Sequence, residues 1–132
     1  MVPYRPAPAA EPIDQPDPAT PEAFAARAFE MRRRAAGEGD QPYGAVVVRD
    51  GVIIGQSPSR VVVNKDPSAH AEMEAIRDAA RRLGSRDLSG AVLYSSSRPC
   101  PMCEGAARYA GIARMVHGRG LSDAGAPRLV RC

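Results

Sequence analysis

The chain has 132 residues, a formal net charge of +3, 25% charged and 44% hydrophobic residues, values ordinary for one globular domain with a core of its own. Composition names no function, but it argues against a membrane protein: no apolar run approaches the ~20 residues of a spanning helix. The first twenty residues lack the continuous apolar core of a signal peptide, so a cytoplasmic location is expected.

Residues 1–19 place Pro3, Pro6, Pro8, Pro12, Pro16 and Pro18 among Ala, Asp and Glu, a composition that buries too little apolar surface to offset its ordering entropy. They read as a flexible or surface-draped arm ahead of one domain over residues 20–132. Thr20 offers an N-cap, Pro21 a first helical position and Glu22 a charge suited to the helix dipole, while Phe24, Ala28, Met31 and Ala35 recur at helical spacing. This predicts a first helix ending near Gly37. Residues 44–49 and 52–55 are β-branched runs joined by Asp50-Gly51, the strongest short hairpin signal in the chain.

After a loop over residues 56–65, Asp66 and Pro67 can cap and open a second helix that runs to Leu83, with Gly84 just past its end. Ala69, Met73, Ile76, Ala80 and Leu83 form one apolar stripe on it. Glu72 falls inside that half of the wheel, where a carboxylate is costly without a partner; the competing reading is a first-turn glutamate facing solvent. Residues 91–96 predict a third strand, which hands over through Cys100 and Pro101 to a third helix ending near Gly111. Residues 112–117 read as a fourth strand and 128–132 as a weak fifth. Strands and helices in this order predict an α/β fold with helices on both faces of a mixed sheet.

Two short stretches carry the chemistry, His70-Ala71-Glu72 and Pro99-Cys100-Pro101-Met102-Cys103. A neutral imidazole and two thiolates are three of the ligands that Zn²⁺ favours, and they leave a fourth tetrahedral position for water, which separates a catalytic site from a structural one. Glu72, two residues past His70, can stay off the metal and handle that water's proton. Cys100 and Cys103 meet at a helix N-terminus, where the dipole favours thiolate. Two rival readings use the same residues. A redox dithiol leaves His70 and Glu72 without a role, and the pair falls late in the chain for that purpose. A structural zinc module would take Cys132 as fourth ligand. Two cysteines in a C-x-x-C pair suit a reducing compartment, and His117 reads as a packed strand residue. The arginines, scattered from Arg32 to Arg131, read mostly as solvated helix faces, so nucleic-acid binding is the lesser reading.

H-x-E followed by P-C-x-x-C is the pattern of zinc-dependent nucleobase deaminases. With Pro42-Tyr43-Gly44-Ala45 and Asp66-Pro67-Ser68-Ala69 added, the chain resembles the cytidine deaminase-like superfamily, and within it the guanine deaminase branch. The resemblance implies a three-layer α/β/α sandwich around a mixed sheet of about five strands, a bound zinc, hydrolytic deamination of a nucleobase or small nucleoside-like ring, and a homodimer. It implies His70, Cys100 and Cys103 as metal ligands, Glu72 as the proton shuttle, Ala71 as a backbone contact to substrate, Tyr43 as an aromatic wall, and Asp123 as a substrate-contacting acid. Guanine leads among substrates, with a tRNA adenosine or cytosine/cytidine deaminase as the alternatives. The sequence departs from that branch at three places. Ser59 stands where an asparagine usually contacts the ligand, and a hydroxyl cannot reproduce a two-point amide contact. Arg98 stands where glutamate is common. The tail that closes the pocket in guanine deaminases has no counterpart before Cys132, so closure is expected to come from elsewhere or to be absent.

Overall fold

The computed structural model describes residues 11–128. In chain order they form α1 (Pro21–Gly37), β1 (Gly44–Arg49), β2 (Val52–Pro58), α2 (Ala71–Leu83), β3 (Val92–Ser95), α3 (Pro101–Ala110), β4 (Arg114–His117) and β5 (Ser122–Gly125). The expected cap of α1 is present, with the Ala23 N–H donating to Thr20 Oγ1 at 3.2 Å. The hairpin turn places Asp50 at φ 54° and Gly51 at φ 75°, the pair of left-handed residues that a two-residue turn between twisted strands requires.

The strands pair in the order β2-β1-β3-β4-β5. Only β3 and β4 run parallel, and α3 makes the crossover between them. Phe24 of α1 packs with Val46, Val48, Tyr94 and Val116 on one face of the sheet. On the other face, Ala71, Ala75 and Ala79 of α2 and Ala107 and Ala110 of α3 pack with Ala45, Val47, Leu93 and Met115. The result is the expected α/β/α sandwich with a mixed five-stranded sheet. No helix among the described residues is long and apolar enough to cross a membrane.

Two expectations are corrected. The second helix starts at Ala71, because the Asp66 carboxylate accepts the Ser68 N–H (2.8 Å) and hydroxyl (2.7 Å) in a turn of its own instead of capping a helix. Its sheet-facing stripe is Ala71, Ala75 and Ala79; Leu83 is exposed and Ile76 only half-buried. The small residues win that face because α2 lies directly on β2: a Cβ added at Gly55 would come within 2.6 Å of Ala75 O and Ala79 N. A strand antiparallel to β4 forms over Ser122–Gly125, ahead of the residues 128–132 that were expected to form one. The backbone turns back at Gly118 (φ 76°) and Leu121 (φ 54°), so the next segment pairs at once despite its poor β propensity. Arg128 is tied to α3 instead, and residues 129–132 lie outside the described part of the chain.

Residues 11–19 lie between α1 and the free edge of β2. The Gln15 amide donates to Ile53 O (3.0 Å) and accepts from Ile53 N–H (2.8 Å), covering part of that edge as a strand would. Gly44 brings α1 equally close on the opposite face, since a Cβ there would meet Ala28 O at 2.2 Å and Arg32 N at 2.3 Å. Gly44→Ala is therefore expected to destabilise the fold by at least about 3 kcal/mol in urea denaturation, because backbone atoms and not a flexible side chain must move.

Candidate active site

His70 and Cys100 are the residues just before α2 and α3, and both hold extended backbone (ψ 152° and 168°). Cys103 lies in the first turn of α3, which Pro101 opens. This local geometry brings two helix N-termini together at the end of β3 and turns three side chains toward one point. His70 Nδ1 lies 3.6 Å from Cys100 Sγ and 3.7 Å from Cys103 Sγ, and the two sulfurs are 3.6 Å apart. Ligand atoms around a tetrahedral zinc, with bonds of about 2.0–2.3 Å, stand roughly 3.5–3.8 Å from one another. The triangle fits that ion. No other group of three metal-ligating side chains stands together among the described residues.

The electrostatics of the trio call for a cation. Burial pushes the Cys103 thiol well above its usual range, and the charge of Glu72 pushes it the same way. A cation bound among the three ligand atoms would act in the opposite direction and favour the thiolate. Glu72 is 5% exposed, one residue inside α2, and burial raises its carboxyl to about 6 against opposing hydrogen bonds that include one with Cys103. The solvent-facing alternative for Glu72 does not hold.

A cavity of about 270 Å³ opens onto His70, Glu72 and Cys100. Tyr43, Ser59, Gln41, Ser97 and Arg98 also line it. Tyr43 is 43% exposed at the mouth, and Arg98 is exposed beside it. Ser96 ties the β3–α3 loop to this wall, accepting the Gly44 N–H on its hydroxyl (3.1 Å) and donating its own N–H to Gly44 O (2.9 Å). Ala71 is fully buried in the core, with its side chain in the alanine face of α2. Asp123 is not brought to the cavity. It sits on β5, paired with Arg114 at 2.7 Å on an exposed edge. Cys132, the proposed fourth ligand of a closed module, lies outside the described residues.

One buried group escaped the sequence reading. Asp40 is 8% exposed and packs behind Ser59 and Gln41, with no periodicity or motif to mark it in the sequence. Glu104, next to Cys103, is also buried, and Arg128 holds it through its backbone N–H (2.8 Å) and two guanidinium contacts (3.0 Å each). That pairing keeps the Glu104 carboxyl below the usual range and fixes the segment after β5 onto α3.

The sequence model of the cytidine and deoxycytidylate deaminase zinc-binding region matches residues 18–119. Guanine deaminase of Bacillus subtilis is 49% identical over 69 residues, which are 52% of this chain and 44% of that protein. Its crystal structure superposes with a TM-score of 0.72 at 39% identity, covering 75% of this chain and 64% of that one. The tRNA-specific adenosine deaminase of Aquifex aeolicus is 40% identical over 95 residues, 72% of this chain and 63% of that protein. A solved structure from work on tRNA:A34 deaminases gives a TM-score of 0.70 at 40% identity, over 73% and 70% of the two chains. The matched part thus spans 44% and 63% of the lengths of these two curated relatives. Because the matched region runs through both helix N-termini and holds the whole metal-ligand trio, the chain belongs to the cytidine and deoxycytidylate deaminase family.

Proposed function

We propose that this chain releases ammonia from a free aminated base or a small nucleoside-like ring in the cytoplasm, with guanine first among the candidates. The observation that carries the reading is a buried carboxylate, Glu72, sharing a cavity of about 270 Å³ with the metal-ligand trio. That volume lies just below the ~300–1,000 Å³ of pockets for drug-sized ligands, which suits one heterocycle. Zinc held by His70, Cys100 and Cys103 would supply Lewis acidity and make a water easy to deprotonate near neutral pH. Glu72 then takes a proton from the water that attacks the amino-bearing carbon. It gives that proton to the ring nitrogen, then takes the proton of the newly added hydroxyl and passes it to the amino group, so that the C–N bond breaks, ammonia leaves and the carbon becomes a carbonyl. As the first helical residue, Ala71 has an N–H with no carbonyl partner inside α2, and it is the proposed backbone contact to the ring. Tyr43 can stack on it at the mouth, a contact of about 1–3 kcal/mol for base stacking elsewhere.

Deamination of adenosine in tRNA is the second reading, supported by similarity to tRNA deaminases at 40% identity. A panel of guanine, cytosine, adenine, their nucleosides and a tRNA anticodon stem-loop, assayed for ammonia, separates the two. Guanine is expected to turn over fastest; a stem-loop far faster than every free ring would reverse the order.

The enzyme is further expected to be a homodimer of domains spanning residues 20–132. Beside α2 and α3 lies an open depression of about 940 Å³ whose lining mixes apolar Ile76, Ala80 and Tyr109 with charged Arg77, Asp87 and Arg108, a face that a second copy could cover. Light scattering should give twice the 14.0 kDa chain mass. A fully active monomer at micromolar concentration would count against it.

A further inference from the structure

Asp40 has every acceptor site of its carboxylate in use. Oδ1 accepts the Gln41 N–H (2.8 Å) and the Ser59 hydroxyl (2.9 Å), and Oδ2 accepts the N–H groups of Val62 (3.0 Å) and Val63 (2.9 Å). Burial alone would raise its pKa, but these four hydrogen bonds together hold the carboxyl below its usual range, so Asp40 is ionised and has no proton to give. The proton in the Ser59–Asp40 bond therefore belongs to Ser59. A hydroxyl has one donor and two acceptor lone pairs, and this donor is committed in a charge-assisted bond about twice as strong as a neutral one. Ser59 is 1% exposed, lines the cavity beside His70 and Glu72, and receives no donor from any described residue.

We propose that Asp40 fixes Ser59 as an acceptor toward the cavity, so that this wall selects a ring presenting an N–H and rejects one presenting a lone pair there. Resting on the reading of the cavity as a heterocycle site, the inference adds a polarity that neither the metal motif nor the relatives supply. Asp40 acts as a positioning residue, since it touches two lining residues from behind and never reaches the ring. Discrimination follows from the usual asymmetry of buried polar contacts: a lone pair facing the Ser59 oxygen leaves both groups unpaired, whereas an N–H satisfies them.

The test is calorimetric binding to the full zinc-loaded chain carrying Glu72→Gln, with three probes of one size: guanine, its analogue with N1–H replaced by a ring oxygen, and its analogue with N9–H so replaced. One of the two replacements is expected to weaken binding at least ten-fold. Adding Ser59→Ala should shrink that same penalty below three-fold, and this change is small enough to keep the fold. Asp40→Asn can offer an amide N–H to Ser59 and turn its hydroxyl toward the ring, so the penalty should fall or invert; a purely structural defect would weaken all three probes alike. Both analogues binding within three-fold of guanine, or an unchanged ratio in Ser59→Ala, overturns the inference. Failure of the unmodified chain to release ammonia from guanine that it binds counts against the substrate reading alone. Absence of guanine binding overturns both.

Discussion

Glu72→Gln is expected to leave one zinc per chain and to lower ammonia release by about 10²–10⁴-fold, the range that a positioned general acid/base contributes. The substitution preserves shape and hydrogen-bonding reach at a site that is 5% exposed, so packing at the start of α2 is kept. What it removes is the ability to hold a proton. Burial brings the Glu72 carboxyl to about 6, close enough to neutrality that it can accept a proton from water and return it within one turnover. An amide can do neither. Elemental analysis for zinc and a coupled ammonia assay on the same preparation check both halves, and near-normal turnover in zinc-loaded protein would remove the assigned role.

The parts of this fold that were legible in the sequence are those set by local chemistry. Thr20 and Pro21 mark the start of α1, Asp50-Gly51 its hairpin, and Gly84 and Gly111 end α2 and α3 in left-handed conformation. The metal trio was legible for a related reason: His70, Cys100 and Cys103 each sit at or beside a helix start, so their spacing from the element boundary carries their placement. Features set by packing between distant segments were not. Side-chain size along α2 pointed to Met73, Ile76 and Leu83 as its inner face, but the distance between α2 and β2 admits only alanine against Gly55. Asp66 resembles a helix cap by residue type and position, but its carboxylate is taken up by Ser68 in a separate turn, and the helix starts only at Ala71.

Substrate contacts were the least legible, for the same reason. Asp123 sits in a turn-rich stretch that folds back on β4, and its partner Arg114 is nine residues earlier on the neighbouring strand. Asp40 carries no pattern at all. Its importance arises because the loop of residues 60–65 returns to it across the fold, presenting two N–H groups that need an acceptor. A buried carboxylate that satisfies four donors is a feature of the tertiary structure, and so is the polarity it imposes on Ser59.

Removing a metal ligand should have a larger effect on the whole molecule than removing Glu72. His70→Ala and Cys103→Ser are each expected to lose zinc on dialysis and to bring ammonia release to background, since the remaining two ligand atoms no longer enclose a tetrahedral position. Stability should fall with activity, because an ion held by His70, Cys100 and Cys103 would tie the starts of α2 and α3 together. For free zinc at ~100 times the dissociation constant, linkage gives about 2.7 kcal/mol. For a chain of this size that corresponds to a Tm about 10 °C lower in the zinc-free protein. Cys132→Ser separates this catalytic arrangement from a closed structural module: it should keep one zinc per chain, the same Tm and the same turnover. Loss of zinc from Cys132→Ser would mean that a fourth protein ligand fills the position that the attacking water needs, and no assignment of Glu72 as a proton shuttle would survive that result.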